Sequence, residues 1–452
     1  MRNAGSEGGE YQFLFGDAIQ TPDRMQLQLE LSPEKVSGPL SQVDSFVLAD
    51  RLHALATRDQ STYQASWAAI LDSLSVPGPR SMGVNLKRPH VLPQSLLQIK
   101  VDGSWAGLPE GTPTGVYTIA PEKSEPGIAR FLIDPSIPNE DGRPREVVEI
   151  QQNDAADAVT SLLRGDLDAL DHLFPADAAR LRENPSIQVA NYPLPTVHML
   201  VPASDHPFLA ERDFRRAICY GVNRKDILKG ELLGNSDIPG CQVISGPFPA
   251  GVALDDPLAY AYDKSIEPRE YQPRLAALIK TMVDSRLKAT AAKNKTDPPA
   301  LTPLKLGYPQ DDLARVACQA ISQQLNMVGI PVELVELPTG ISRPARGECD
   351  LVYTIVALWE PITDARRVLG PDGLAASSDQ LVGLGLRRLE TARNWREVRE
   401  RLFDLHHIAH HELPVIPLWQ LVDSYAYRRE LNGLGSNIVS LYQNLDRWRL
   451  TR

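Results

Sequence analysis

The chain has no basic excess. Its 47 Lys and Arg stand against 57 Asp and Glu, a formal net charge of −10 over 452 residues, whereas a general nucleic-acid binder shows a clustered positive surplus. No window approaches the ~18 consecutive apolar residues of a membrane-spanning helix. The opening residues, MRNAGSEGGEYQFLFGD, lack the apolar core and cleavage site of a secretion leader and carry no lipid-attachment cysteine, so on its face the chain is cytoplasmic. Cysteine is scarce: Cys219, Cys241, Cys318 and Cys349 form no CxxC, which removes zinc-ribbon and thioredoxin-type sites. Four cysteines allow three pairings. Cys219 and Cys318 fall inside apolar helical runs, which favours small buried thiols over a disulfide. Catalytic signatures are also missing. There is no GxSxG elbow, and the glycines of VGLGLRR do not follow a strand and open a helix as a dinucleotide loop must. The carboxylates of GDLDALD alternate along an extended segment and do not form a glycosidase-like pair. The expectation is a protein that is not an enzyme and uses no cofactor.

What is present is ordinary for a folded protein: 42% apolar and 23% charged residues, with 37 prolines punctuating the chain. This length exceeds one core and predicts two or three domains. Apolar spacing predicts helices over 44–56 and 63–75, extended chain over 83–102, a strand at 129–133 and a loop at 134–146. A strand at 147–150, a helix over 154–165 and extended pieces at 187–192 and 197–201 follow. A Pro/Gly-rich connector occupies 240–263. Beyond 270 the pattern alternates: helix 273–288, a polar linker KATAAKNKTDPPA, strand 304–307, helix 312–328, strands 331–337 and 350–357, helices near 379–393 and 395–411, and strands at 414–419 and 424–428. Such alternation predicts a two-lobed α/β protein with parallel strand pairs favoured.

Residues 211–234, ERDFRRAICYGVNRKDILKGELLG, read as two short helices meeting at Gly221. Asn223 is placed to cap the second, and Asp226 completes a capping-box-like start. In HHIAHHE, His406 with His410 and His407 with His411 stand four apart on a helix and could chelate zinc or nickel. Glu412 follows these histidines, so no HExxH forms. Because the apolar face is Val398, Leu402, Leu405 and Ala409, the better reading is a solvated polar face near a helix end.

FRRAICYGVNRKDIL resembles the segment shared by the family 5 extracellular solute-binding proteins of ABC transporters, the dipeptide-, oligopeptide- and nickel-binding group. Further segments fall in the order that family uses. TPTGVY (112–117) resembles its GTGPY turn, with Val116 in place of proline, and LLRGDLDAL (162–170) resembles its helix-to-strand element through Gly165, Asp166 and Asp168. The unit from Leu301 to Pro338 resembles a strand–helix–strand ending at Gly329, Ile330 and Val332. DLVYTIVALWEPITD (350–364) resembles the strand that ends in an exposed Trp, here Trp359, and residues 395–420 resemble the last long helix and its "P.iPL" strand.

The resemblance implies a periplasmic-binding-protein-like fold of the class II type, with ligand enclosed between two lobes by hinge closure. It implies an N-terminal subdomain of lobe I over 1–145, a lobe I core over 146–250 completed by 424–452, and lobe II over 251–423. It also implies a monomer that binds a small solute or peptide and meets permease subunits in the membrane, at a periplasmic or cell-surface location. Members carry a longer stretch before the helix matching 44–56; here about 43 residues precede it, so part of lobe I is expected to be missing or rebuilt. The ligand is expected near Leu358, Trp359, Glu360, Ile362 and Asp364, and near His172 and Phe174 if the topology holds. Trp359 offers a flat stacking surface. Peptide-binding members place an aspartate three residues after the Trp to hold the peptide's α-amino group. Ile362 stands there in this chain, leaving Glu360 and Asp364 either as substitutes or as solvated loop charges. The competing expectation is a scaffold or regulatory relative without a transport role, and a metal-dependent protein built on His406–His411 is a distant third.

Overall fold

The computed structural model describes residues 11–451 except 37, 98, 100, 110, 111, 113, 136, 138–141, 153, 253–255, 257, 339, 340, 342, 343 and 346. Residues 1–10, the first part of the opening stretch read as lacking a secretion leader, Pro113 of the TPTGVY turn and part of the 134–146 loop lie outside the described residues.

The N-terminal body is a four-stranded antiparallel sheet backed by two helices. Strands β1 (Gly16–Gln20) and β2 (Gln26–Leu31), helices α1 (Ser45–Ala56) and α2 (Ala65–Ile70), and strands β3 (Leu71–Gly78) and β4 (Ser81–Leu86) build it in the order β1-β2-β4-β3. Strict alternation sends Leu27, Leu29 and Leu31 of β2 inward with Met82, Val84 and Leu86 of β4. They meet Leu48, Leu52 and Leu55 of α1 and Trp67 of α2. Asp44 caps α1 by accepting from the amides of Phe46 and Val47. The helix expected over 63–75 stops at Ile70, because Leu71–Gly78 is drawn into pairing with β4. Of the stretch 83–102, the part up to Leu86 belongs to strand β4, and Pro93–Leu97 coils into a 3₁₀ turn.

Strands β5 (Tyr117–Ile119), β6 (Ile128–Ile133) and β7 (Glu146–Ile150) form a second antiparallel sheet. Helix α3 (Ala155–Arg164), strand β8 (Ala169–Leu173), helix α4 (Pro175–Arg182) and strand β9 (Ile187–Asn191) follow. The chain then enters β10 (Thr196–Pro202), the short α5 (Pro207–Ala210) and α6 (Arg212–Gly221). The expected cap is present: the Asn223 side chain accepts from the Asp226 amide, opening α7 (Arg224–Asp226), which widens at once into a π-turn over Ile227–Leu232. Next come β11 (Gln242–Val243), α8 (Pro273–Asn294), β12 (Leu304–Tyr308), α9 (Asp312–Met327), β13 (Val332–Glu336) and β14 (Leu351–Ala357). Helices α10 (Pro361–Leu369), α11 (Gln380–Glu390) and α12 (Trp395–Glu412) precede β15 (Ile416–Leu421), β16 (Ser424–Arg428), β17 (Leu431–Asn432) and β18 (Arg449–Leu450). The first half of the polar linker KATAAKNKTDPPA, up to Asn294, is instead the end of α8, since its alanines are strong helix formers, and the helix is closed by Lys295 in the left-handed region.

Two sheets carry the main lobes. The larger runs β11-β15-β10-β14-β12-β13 and the smaller β8-β16-β9. Among the described residues parallel pairing is confined to β12 with its two neighbours, and β10 is antiparallel to both β14 and β15. The expectation of mainly parallel pairs is therefore corrected: β10 and β15 come from distant chain segments and need no crossover helix between them. Val197, Met199 and Val201 of β10 face the α10–α12 core, while Leu200 faces the core under α6 and α9. Residues 196–202 and 242–243, placed with lobe I by the sequence reading, are thus hydrogen-bonded into the larger sheet, and α6 packs on it. The N-terminal body also leans on this lobe: Val91 enters the α10–α12 core, and the Arg24 guanidinium donates to the Arg393 carbonyl at 3.3 Å.

Candidate functional site

The chain passes from the smaller sheet to the larger at residues 192–195 and returns at 422–423. These crossings lie side by side, with the Tyr192 amide donating to the Asp423 carbonyl at 2.9 Å. A cavity of about 730 Å³ opens against them, within the size range of small-ligand sites. Asp171, His172 and Phe174 reach it from the smaller sheet, Asp311, Asp312, Tyr353 and Ile355 from the larger, and Thr196 and Asp423 from the crossings.

Local strand geometry aims the first group. Pairing between β16 and β8 slips between Ser424 and Ala426, so that Asp171 and His172 together oppose Tyr425. Two residues against one is a β-bulge, which re-aims side chains. His172 takes φ +49°, a left-handed conformation that costs free energy for any residue but glycine. Its imidazole stands between two carboxylates, 3.7 Å from Asp171 and 3.9 Å from Asp423. The Tyr192 hydroxyl donates to the other Asp171 oxygen.

Asp423 is held from behind. Thr196 hydrogen-bonds its carboxylate. The Thr196 oxygen lies 3.1 Å from Nε2 of buried His198, whose Nδ1 is 2.7 Å from the Tyr353 hydroxyl. With the threonine proton given to the carboxylate, the chain that satisfies every group runs Tyr353 to His198 to Thr196 to Asp423, with the proton of His198 on Nε2. Burial pushes the His198 pKa down to about 3, so the ring stays neutral in this role. Burial also raises the Asp423 pKa; Asp311 and Asp171 add repulsion, while His172 and Thr196 oppose it. Across the cleft mouth the Ala155 amide at the start of α3 donates to Asp312 at 3.3 Å, joining the two lobes directly.

Of the residues singled out from sequence, His172 and Phe174 line this cavity; Leu358, Trp359, Glu360, Ile362 and Asp364 do not. It is the middle of β14, Tyr353 to Ile355, that faces the cavity. Leu358 lies in the α10–α12 core, and Ile362 packs against it, half-buried. Trp359 is 42% exposed. Glu360 is not a solvated loop charge: it is 0% exposed, accepting from the hydroxyls of Tyr260 and of Tyr11, the latter at 3.0 Å. Asp364 accepts from the Glu360 amide at 2.9 Å and pairs with Arg367 at 3.0 Å.

The histidine run divides. His406 is wholly buried rather than solvated, because α12 rolls it against Gly246, with Ser245 Oγ 3.1 Å from Nε2 and the Asp263 amide donating to Nδ1. His410 meets the Ser245 carbonyl at 3.0 Å, His407 pairs with Asp263 and His411 with Glu412. Among the described residues no group of three or more His, Cys, Asp or Glu is arranged to hold a metal ion. All four cysteines are free thiols; Cys219, Cys318 and Cys349 are buried. A second cavity of about 1000 Å³ lies between α1–α2 and α10–α11, away from the crossings. Sequence reasoning missed Asp423, Thr196 and Tyr353. The one available signal was a lone carboxylate interrupting the apolar run PLWQLVDSYAY.

The fold resembles that of several solved proteins. The oligopeptide-binding protein AppA of Bacillus subtilis, solved with a nonapeptide, superposes with a TM-score of 0.77 at 14% identity, covering 97% of this chain and 90% of that one. NikZ of Campylobacter jejuni, solved with Ni(L-His), gives 0.74 at 16% identity, covering 97% and 90%. The fold is therefore that of the two-lobed binding proteins. Residues 143–365 match the model of the bacterial extracellular solute-binding proteins, family 5, middle region. A probable D,D-dipeptide-binding periplasmic protein of Escherichia coli, DdpA, is 27% identical over 202 residues, which are 44% of this chain and 34% of that protein. The aligned part thus spans about a third of that relative. The middle of the chain, residues 143–365, is that of a family 5 solute-binding protein. No helix among the described residues is long and apolar enough to cross a membrane.

Proposed function

We propose that this chain is the substrate-binding component of an ABC transporter, capturing a small solute of peptide or peptide-like character between its lobes and presenting it to a membrane permease outside the cytoplasmic membrane. The observation that carries this reading is the cavity at the paired crossings. It is walled by both sheets, and two adjacent strand crossings can act as a hinge that opens and closes it. On this reading one lobe comprises the smaller sheet with α3, α4 and the C-terminal tail, and the other residues 196–421. The chain binds its ligand non-covalently, works as a monomer and transforms nothing. Thr196, Tyr353, His172, Phe174 and Asp423 form the ligand wall. Similarity to proteins solved with a nonapeptide and with Ni(L-His) supports solute capture and leaves the ligand to be found by experiment.

The test is a thermal-shift screen of the full chain against pooled di- to pentapeptides, sugars, and nickel with and without chelator. A ligand at ~100 times its dissociation constant adds about 2.7 kcal/mol of stability, a readily measured rise in midpoint. A saturable shift with one pool, lost on Tyr353→Ala, supports the reading. A clear unfolding transition that no pool moves overturns it.

A further inference from the structure

Resting on the hinge cavity as the ligand site, we propose that it selects solutes of net positive charge, seating an ammonium or guanidinium group against Asp423 with Asp171 and Asp311 around it.

The charge balance of the wall is one-sided. Seven carboxylates line the cavity against a single guanidinium, that of Arg315, and Arg315 is already hydrogen-bonded to Asp312. Several of these acids have folding duties: Asp154 and Asp311 cap α3 and α9. Asp171 and Asp423 cap no helix, although Asp171 accepts from the Tyr192 hydroxyl and the His172 amide. Among the described residues, the one basic side chain within 4 Å of either is the imidazole of His172. A half-buried carboxylate flanked by like charges is raised in energy until a cation arrives, and Coulomb attraction there is several-fold stronger than in bulk water. Asp423 is also fixed in direction by the Tyr353–His198–Thr196 chain behind it. Such a chain costs no reorganisation on binding and gives a charge-assisted hydrogen bond its geometry. The surrounding field extends the effect to the whole ligand, since a cleft walled with one sign of charge concentrates the opposite sign. An organic cation is favoured over a bare metal ion, because the carboxylates stand apart around the wall and do not form a coordination set.

The experiment is isothermal titration of the full chain with trilysine, trialanine, triglutamate, agmatine and nickel chloride at low and high salt. The expected result is trilysine or agmatine binding at least about tenfold more tightly than trialanine, with no binding of triglutamate. That advantage should shrink as salt rises. Asp423→Asn and Asp171→Asn should each erase most of the preference, while Asp404→Asn, far away on the outer face of α12, should keep it. Thr196→Val should weaken cation binding with the fold intact, because it frees the carboxylate from its relay. Equal affinity for trialanine and trilysine overturns the charge selection but leaves solute capture standing. Tight binding of nickel without any organic cation overturns it in favour of metal. Survival of the preference in the Asp423→Asn, Asp171→Asn double variant also overturns it. If no probe binds here and no pool shifts the midpoint in the wider screen, solute capture itself has failed.

Discussion

Glu360 shows how a single buried carboxylate can be structural. It accepts from two tyrosine hydroxyls, one on the N-terminal segment and one in the loop before α8, and its own amide is capped by Asp364. Burial and the neighbouring carboxylate hold the Tyr260 pKa well above its ordinary value, so the phenol keeps its proton to donate. Glu360→Leu strands both hydroxyls and is expected to cost about 2–4 kcal/mol, measured by urea unfolding; a loss under 0.5 kcal/mol would show that the contact is idle. His406 poses a similar problem in packing. A Cβ at Gly246 would sit 2.2 Å from the imidazole, so Gly246→Ala must push the ring off Ser245 and Asp263. An overpacking loss of about 1–3 kcal/mol is expected in the same measurement, and an unchanged midpoint would mean that the ring moves freely.

Among the elements, α8 and β8 show opposite uses of left-handed backbone. α8 ends at Lys295 with φ +56°, its amide returning to the Ala291 and Ala292 carbonyls. Glycine adopts this conformation without steric penalty, so Lys295→Gly should raise stability by about 0.5–1 kcal/mol, read as a higher thermal midpoint. A lower midpoint would mean that the lysine side chain contributes more than its backbone costs. The corresponding strain at His172 lies on the cavity wall, where the bulge of β8 turns the imidazole between two carboxylates. Strain at a helix end needs no functional explanation, whereas strain on a cavity wall is the kind that clusters at ligand sites.

The buried histidines give the whole molecule a pH dependence. Burial lowers His90 and His406 to about 4 and His198 to about 3. Each is neutral in the folded state, while in the unfolded chain it protonates near pH 6.5. Stability from these groups is therefore complete above pH 6.5 and falls as pH drops towards 4, by about 2 kcal/mol per histidine at pH 5. Asp364 and Asp423, raised mainly by burial, work in the opposite direction. The expectation is a lower urea midpoint at pH 5 than at pH 7.5, with a smaller difference in His406→Gln; a midpoint that rises on acidification would contradict it.

The sequence by itself determined what local forces determine. Apolar spacing fixed α1, α9 and α12 nearly to the residue, and the side chain of Asn223 announced the start of α7. Motif order alone pointed to the family that residues 143–365 match, because those segments are continuous in the chain. What only the tertiary structure decided depends on residues far apart in sequence. Residues 71–78 became a strand because β4 offered an edge, and β10 and β15 became antiparallel neighbours across more than two hundred residues. The cavity wall joins Asp171, Asp311 and Asp423, of which only Asp423 stands out in its own segment, as a lone carboxylate in an apolar run. No periodicity announces such a site, since the proximity of its carboxylates is set by two strand crossings and one bulge. The burial of the Glu360 and His406 side chains was likewise hidden, because burial is settled by what packs over a residue and not by its neighbours in the chain.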